Sequence, residues 1–374
     1  MCIRDRPTPL FVICTFGLFI LAYRPLEGLL DIEWNQKNES GNTALHVAAE
    51  YGHVHLVRFL LEKGINVESE GYYGTTALHR AVTAGHYFVV SLLLKEGANV
   101  QARSGDGKTA LHRAADAGHE SLVRLLLQHG ASIEAKSLNG KSAFFRAAEN
   151  GHLDIVRLLL NKGADINTTS NDRSSALHKA AEYGHEMLTQ ILLQPISSRQ
   201  AIQINAKNIS GKTPLYLAVR DEHEVVVRLL LDAGADVDVF GSYGESALYV
   251  AARNGNEAIV LLLLEKRPNF DVKASSGETA LECATRMGHF GVVRLLEEHQ
   301  KIDDAIKTWS NLAPSGEVPG EATQRKADGQ ESPIDVTSGL SEIPSRKGYS
   351  PHDFEILKLL NTGTDERHRL ILIR

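Results

Sequence analysis

The 374-residue chain has too few cysteines for a disulfide-stabilised fold. Its three cysteines are Cys2, Cys14 and Cys283, an odd number separated by long stretches of chain. Small secreted domains instead carry even sets of closely spaced cysteines. We therefore expect free thiols and a reducing compartment, with a cytoplasmic location and the nucleus as a further option.

The chain also lacks an excess of charge of one sign. Its 40 basic and 46 acidic residues are well mixed and leave a net charge of −6. Proteins that bind nucleic acid concentrate Lys and Arg on one face. The composition therefore predicts no nucleic-acid partner.

A membrane-spanning apolar run is missing as well. The apolar run Leu10 to Ala22 has 13 residues, whereas a transmembrane helix needs about 20. No small-x-small cleavage motif follows it, as it would after a signal peptide. We expect no membrane partner, and a signal or anchor at residues 10–22 stays open as a weaker alternative.

What the chain does have is a repeat with a fixed period. The small residue of a Thr-Ala-Leu motif recurs every 33 residues, with one interruption after the fifth copy. Its positions are Ala44, Ala77, Ala110, Ala143, Ala176, Pro214, Ala247 and Ala280. A period of this length is typical of arrays of identical supersecondary units.

One unit, from Gly107 to Ile133, reads GKTALHRAADAGHESLVRLLLQHGASI. Thr109 can cap a helix, and His112 can reach back to it. Gly118 ends that helix, and a second helix closes at Gly130. Apolar residues of the second helix follow helical spacing at Leu122, Val123, Leu125 and Leu126. Each unit is thus predicted to be an antiparallel helix pair.

The pattern G-x-T-A-L-H-x-A-A-x-x-G-H…L-V-R-x-L-L-x-x-G-A-x-I resembles the ankyrin repeat, and the match covers most of the chain. The resemblance implies an all-α solenoid of stacked helix-turn-helix units with β-hairpin-like finger loops. It also implies a surface that binds other proteins. Because one helix pair cannot bury its apolar stripe alone, neighbouring units are expected to stabilise each other.

The repeat divides most of the chain. Residues 39–307 hold eight clear repeats, and residues 7–38 align as a degenerate repeat. Residues 1–6 resemble the translated end of a sequencing-library transposon. We expect them to be non-native and the chain to be a fragment of a longer protein.

Two regions depart from the regular pattern. An insertion of five residues near 194–203 includes the helix-stopping Pro195, and we predict a break in regularity there, with a bend between two sub-arrays. Residues 308–374 are rich in Ser, Pro, Gly and charge, which predicts a mostly disordered tail. Within the tail, a short docking helix at 351–361 is an alternative to a fluctuating segment.

The repeat explains most of the 16 histidines without a metal. Four occupy the capping position, and seven follow the turn before the second helix. They are His46, His79, His112 and His178, and then His53, His86, His119, His152, His185, His223 and His289. Because they recur once per layer, they should not converge on one ion. Phe145, Tyr216, Tyr249 and Glu282 replace the capping histidine in the other repeats.

No motif points to catalysis. The glycines fit turns rather than a phosphate loop, and no Ser-His-Asp or Cys-His arrangement stands out. We therefore expect no catalytic residue, metal, cofactor or small-molecule substrate, and a protein that is not an enzyme.

Binding residues should lie where the repeat does not dictate the residue type, at finger tips and at the ends of first helices. The resemblance implies that these positions line the concave face. The candidates on fingers are Tyr72, Tyr73, Leu138, Ile209, Phe240 and Tyr243. Those at helix ends are Tyr51, Asp116, Glu149, Asn150, Tyr183, Arg220 and Arg253. We expect an acidic sub-site around Glu50, Asp116 and Glu149, and a more basic one around Arg220 and Arg253.

Two hypotheses for the function follow. The first is a non-catalytic scaffold that binds a partner protein through its fingers and concave groove. The alternative is a sensor or targeting arm of a larger signalling protein, either an innate-immunity NTPase or a ubiquitin-ligase adaptor, whose catalytic part lies outside this chain.

Overall fold

The computed structural model describes residues 35–194 and 201–312, which fold into eight consecutive helix pairs, here called repeats 1 to 8. The first helices of the pairs are α1 (Ala44–Glu50), α3 (Ala77–Thr83), α5 (Ala110–Ala117), α7 (Ala143–Glu149), α9 (Ala176–Glu182), α11 (Pro214–Arg220), α13 (Ala247–Asn254) and α15 (Ala280–Met287). The second helices are α2 (Val54–Glu62), α4 (Tyr87–Lys95), α6 (Glu120–Gln128), α8 (Leu153–Asn161), α10 (Glu186–Leu193), α12 (Glu224–Asp232), α14 (Glu257–Leu264) and α16 (Phe290–Leu312). The predicted all-α solenoid of helix-turn-helix units is confirmed.

The finger loops join the second helix of one repeat to the first helix of the next. Their hairpin character is limited to isolated bridges, since the described residues form no β-strand. The bridges pair Lys37 with Thr43, Thr169 with Ser175, and Phe240 with Ser246. Each finger therefore leads directly into the N-terminus of a first helix.

The predicted helix caps are present, and the capping histidine also links neighbouring repeats. The Nδ1 atom of His112 accepts a hydrogen bond from the Thr109 backbone N–H at 3.2 Å, which leaves the proton on Nε2. That Nε2 donates to the Lys141 carbonyl of the next repeat at 3.0 Å. One ring thus starts a helix and fixes the position of the next finger.

A second set of histidines links the repeats at the opposite end of the first helices. His152 Nε2 donates to the Asp116 carbonyl of the preceding repeat at 3.1 Å. Gly118 makes room for the ring: its φ is +77°, and a Cβ there would lie 2.7 Å from His152. The same bond joins His86 to Glu50, His119 to Thr83, His223 to Glu182 and His289 to Arg253. The Nε2 atom of each of these rings is therefore hydrogen-bonded to a backbone carbonyl.

The core runs through the stack as one continuous cluster. In repeat 3, the small side chains of Ala114 and Ala115 are fully buried where first helices approach each other closely. Leu122 and Leu126 of α6 have at most 1% of their surface accessible to solvent. Each such leucine contributes roughly 1.5–3 kcal/mol by leaving water. Since much of this burial is against adjacent repeats, each pair depends on its neighbours.

Repeat 4 lacks the histidine bridge, as its sequence predicts. The Ser142 hydroxyl accepts from the Phe145 backbone N–H at 3.2 Å, so the helix is still capped. The Phe145 ring is fully buried, and Lys141 Nζ lies 5.3 Å from its centroid. Because Lys141 belongs to the finger of the same repeat, this cation–π contact lies within repeat 4 and does not replace the hydrogen bond to the next finger.

The stack continues across the insertion. Helix α10 ends at Leu193, one residue before Gln194 and just ahead of Pro195. The His178 ring reaches the Lys212 carbonyl at 3.2 Å, and His223 reaches the Glu182 carbonyl at 3.1 Å. Repeats 5 and 6 are thus joined by the same two contacts as other repeats, although residues 195–200 lie outside the described residues.

Repeat-like contacts also extend to the residue before repeat 1. The Asn35 side chain accepts from the Asn66 backbone N–H at 3.2 Å. Glu68 makes the equivalent bond to Asn99 one repeat later, at 2.8 Å. The rest of the predicted degenerate repeat, the run at residues 10–22 and the predicted leader at residues 1–6 lie outside the described residues.

The last helix extends past residue 307, where the repeats are predicted to end. Helix α16 runs to Leu312. The reason is local, because no glycine or proline occurs between Gly291 and Pro314 to stop the helix. Of the predicted tail at residues 308–374, residues 308–312 belong to α16, and the remainder, including the segment 351–361, lies outside the described residues. No described helix combines the length and apolarity needed to cross a bilayer.

Candidate protein-interaction surface

The finger loops are connected to one another by backbone hydrogen bonds. The Gly105 N–H donates to the Tyr73 carbonyl at 2.6 Å, and the Leu138 N–H donates to the Asp106 carbonyl at 3.0 Å. The same bond joins Asn171 to Asn139, Ile209 to Asp172 and Ser275 to Tyr243. Because the backbones hold one another, the finger side chains are free to point outward from a fixed row.

The six predicted finger residues are all exposed apolar or aromatic side chains. The most exposed is Tyr243, with 78% of its surface accessible, and the least is Phe240, with 40%. Tyr72, Tyr73, Leu138 and Ile209 lie between these values. Large apolar side chains held in solvent at regular spacing are typical of interaction sites.

Two of these tyrosines sit in a costly backbone conformation. Tyr73 has a φ of +57° and Tyr243 a φ of +67°, each inside a one-turn 3₁₀ helix at a finger tip. A left-handed conformation at a residue other than glycine, Asn or Asp costs about 1 kcal/mol or more. Neither side chain is buried in the core, so the packing of the fold does not account for their identity.

The two aromatic residues at helix ends are also exposed. Tyr51 follows α1 and stacks on His53, with ring centroids 6.2 Å apart. Tyr183 follows α9, and Lys179 Nζ lies 5.6 Å from its ring. About half of each tyrosine is accessible to solvent. They lie at the far end of the first helices from the fingers.

The predicted charged residues have partners within the array. Asp116 lies 3.0 Å from Lys108 and 3.6 Å from Arg146, and Glu149 lies 2.8 Å from Lys141. Asn150, which is exposed, donates to the Asp116 carbonyl at 3.3 Å. Cations of the array are therefore interleaved with the carboxylates of the predicted acidic sub-site, which stays a prediction.

The predicted basic sub-site is neutralised in the same way. Arg220 lies 2.6 Å from Asp221 and 3.5 Å from Glu182. Arg253 lies 2.5 Å from Glu245. Ionic partners within the array hold both guanidinium groups, so the region carries less free positive charge than the sequence alone indicates.

Comparison with protein families identifies the family of this chain. The model for three consecutive ankyrin repeats matches residues 10–104, 98–170, 164–241 and 238–306. The chain belongs to the ankyrin repeat family. A segment of 42 residues is also 52% identical to a putative ankyrin repeat protein of Acanthamoeba polyphaga mimivirus. That segment is 11% of this chain, and the chain spans only 4% of the length of that relative. Repeats of this family generally mediate protein–protein interactions.

In this ankyrin array, the polarity of one recurring ion pair reverses along the stack. Residues eight apart pair at the base of the finger and the end of the first helix. The cation comes first in Lys108–Asp116 and Lys141–Glu149. The anion comes first in Glu245–Arg253 and Glu278–Arg286. Repeats 3 and 4 thus present the opposite order of charges to repeats 7 and 8.

The sequence interpretation overlooked one row of cations in the ankyrin repeats. Arg80, Arg113, Arg146 and Lys179 are the fourth residues of their first helices, 33 residues apart. Their guanidinium and ammonium groups lie among the candidate residues, within ion-pair distance of Glu50, Asp106, Glu149 and Glu182, respectively. Their 33-residue spacing in the sequence is the signal that identifies the row.

Proposed function

We propose that the chain is a non-catalytic interaction scaffold that binds a partner protein through its finger loops and the C-terminal ends of its first helices. The observation that carries the proposal is the pair of strained, exposed tyrosines, Tyr73 and Tyr243. They contribute little to packing and hold a left-handed backbone that an asparagine or glycine would adopt at lower cost. A binding role gives a reason for tyrosine there.

The arrangement of the surface supports a protein as the partner. Exposed tyrosines are common anchors of protein interfaces, where a rigid ring buries a large area at little entropic cost. The cations near the fingers are mostly paired with carboxylates of the array, which disfavours a nucleic-acid backbone. The composition supports a reducing cytoplasmic location.

The histidine chemistry supports a scaffold rather than an enzyme. The capping rings of His46, His79, His112 and His178 use Nδ1 for the cap and Nε2 for a carbonyl of the next repeat. A ring with both nitrogens engaged cannot act as a general base without breaking the stack. These histidines therefore have a structural role in the proposal.

The test is capture of partners by the full chain and by a variant with Tyr72→Ser, Tyr73→Ser and Tyr243→Ser. We expect the variant to lose the proteins that the unaltered chain retains, with an unchanged thermal unfolding curve. The matched control is Phe88→Ser, since Phe88 is 75% exposed but lies on α4, away from the fingers. Capture that survives the triple change, or that fails equally in the control, contradicts the proposal.

A further inference from the structure

The row of cations on the first helices is locally neutralised in repeats 4 and 5. Arg146 lies 3.4 Å from Glu149, three residues later in α7. Lys179 lies 2.7 Å from Glu182, three residues later in α9. A carboxylate one turn further along the same helix thus balances the charge of each cation.

Repeat 2 breaks this rule, because Thr83 stands where Glu149 and Glu182 stand. The Thr83 hydroxyl donates to the His79 carbonyl at 2.8 Å and brings no negative charge. Arg80 instead lies 3.4 Å from Glu50 of the preceding repeat, and its Nη2 donates to the Asn42 side chain at 3.5 Å. Its buried Nε has no hydrogen-bond partner among the described residues. Its positive charge is only weakly compensated.

Repeat 3 has an acidic residue, Asp116, at this position, but its carboxylate lies 3.0 Å from Lys108 and 3.6 Å from Arg146. The Nη2 atom of Arg113 donates to the Ser104 hydroxyl at 3.1 Å and lies 3.7 Å from Asp106, beyond hydrogen-bond distance. Its Nε is buried and has no hydrogen-bond partner among the described residues. The Nε of Arg146 in repeat 4 is unpartnered as well, so Arg80 and Arg113 differ from it in lacking an ion pair with a carboxylate three residues later in the same helix.

A cavity of about 290 Å³ opens where these groups lie. Its lining includes Glu50, Tyr72, Tyr73, Arg80, Thr83 and Arg113. The buried His79 also borders it but is neutral near pH 7, since burial and then Arg113 lower its pKa to about 4. The lining residues carry two positive charges and one negative charge under a pair of exposed tyrosine rings, and a second carboxylate, that of Asp106, lies outside the lining at 3.7 Å from Arg113.

We propose that this cavity binds the carboxylate of an Asp or Glu side chain from the partner polypeptide, beside Arg80 and Arg113, in the place that a glutamate occupies in repeats 4 and 5. The inference rests on the proposed function and names the chemistry of the partner at one end of the same surface. Tyr72 and Tyr73 lie against the residues that flank the bound acid. The partner carboxylate accepts charge-assisted hydrogen bonds from the guanidinium groups.

The repeats themselves argue for a carboxylate in particular. Glu149 and Glu182 show that a singly charged carboxylate fits beside the cation at the equivalent position of the same scaffold. Because the side chains of Arg80 and Arg113 are partly solvent-accessible, the contact should weaken as salt is added. An acidic residue in an extended peptide suits both the size and the charge of the cavity.

The test uses a displayed library of short random peptides selected on the full chain. We expect selected peptides to share an Asp or Glu at one position, and its change to Asn or Gln to weaken binding about ten-fold or more. The array variant Thr83→Glu restores the missing internal carboxylate and should weaken the same peptides by a similar factor. Its matched control Thr83→Gln, of equal size but uncharged, should weaken them much less.

We expect these substitutions to leave the fold unchanged. Thr83 is exposed at the end of α3, and Glu50, Glu149 and Glu182 occupy the same position in other repeats. Thermal unfolding of Thr83→Glu and Thr83→Gln should match that of the unaltered chain. An Arg113→Gln variant gives an independent reading, since it removes one cation without filling the cavity.

Several outcomes would overturn the inference. The selected peptides could require Tyr72 and Tyr73 but tolerate the loss of their own acidic residue and bind the Thr83→Glu variant normally. That result would leave the proposed function intact and refute the carboxylate site. Binding by a phosphoserine peptide but not by its glutamate version refutes it as well. If no selected peptide depends on the finger tyrosines, the proposed function itself fails.

Discussion

The hydroxyl of Tyr216 in repeat 6 donates a hydrogen bond of 2.7 Å to the Glu245 carboxylate in repeat 7. In repeats 1, 2, 3 and 5, a histidine at the Tyr216 position donates instead to the backbone carbonyl of the residue at the Glu245 position. The longer tyrosine side chain reaches the side chain of that residue. Burial, and then the bond to Glu245, raise the pKa of Tyr216 above its ordinary value. A hydrogen bond thus still joins the two repeats, but its donor is a hydroxyl and its acceptor is a carboxylate.

Replacing Tyr216 by Phe removes this link and leaves the ring in place. We expect the free energy of unfolding to fall by about 1–2 kcal/mol, because a hydrogen bond from a buried hydroxyl to a charged group is lost. Glu245 keeps its ion pair with Arg253, so no buried charge is left alone. Urea denaturation followed by circular dichroism measures the change.

Tyr249→Phe is the matched control for that experiment. Tyr249 lies 3.3 Å from Glu278, a longer contact, and Glu278 is more accessible than Glu245. The loss should therefore be smaller, under about 1 kcal/mol. Equal losses in the two variants would show that the Tyr216–Glu245 bond adds nothing particular to the stack.

Acid should destabilise the array through its capping histidines. Burial is the largest cause that lowers the pKa of His79 from 6.5 to about 4, and it lowers the pKa of His46, His112 and His178 as well. A lowered folded-state pKa means that the unfolded chain takes up protons first as the pH falls. Stability is then complete above about pH 6.5 and declines between about pH 6.5 and 4. For His79 the loss across this range is about 2–4 kcal/mol.

The variant His79→Gln isolates this contribution, because glutamine can also complete a capping box but does not titrate near neutral pH. Urea unfolding midpoints at pH 7.5 and pH 5 should differ less for His79→Gln than for the unaltered chain. A variant with the same pH dependence as the unaltered chain would assign the acid sensitivity to other groups.

Gly118 tests the close approach between repeats. Gly118→Ala combines the cost of a left-handed alanine with displacement of His152, whose ring would lie 2.7 Å from the new Cβ. We expect a loss of about 2 kcal/mol or more, measured by thermal or urea unfolding. Gly130→Ala has a similar φ of +82° but open space around it, so only about 1 kcal/mol should be lost. Equal losses would mean that the His152 contact is unimportant.

The repeated elements could be predicted from the sequence because the same physical constraint acts in every copy. Thr109 and His112 indicated a cap, and Gly118 and Gly130 indicated helix ends, and all four lie where predicted. The end of the last helix, at Leu312, could not be predicted in the same way, because it depends on a single stretch without a counterpart in the other repeats.

The candidate surface was only partly predictable. Exposure of the finger residues follows from their place in the repeat, and it is observed for Tyr72 and Tyr243. The contacts of the charged residues were harder to predict, because their partners come from different repeats. Asp116 meets Arg146, which is 30 positions away in sequence. Spacing within one repeat says nothing about such contacts, and only the stacking distance brings them together.

The central claim is that buried repeat positions hold the stack while the finger tyrosines are free to bind. Leu125 is 6% exposed within the core, whereas Tyr72 is 58% exposed on a finger. The most direct measurement is urea unfolding of Leu125→Ala and Tyr72→Ala, each in the full chain. The account predicts a loss of about 2–5 kcal/mol for Leu125→Ala and less than about 0.5 kcal/mol for Tyr72→Ala. Equal losses for the two variants would contradict it.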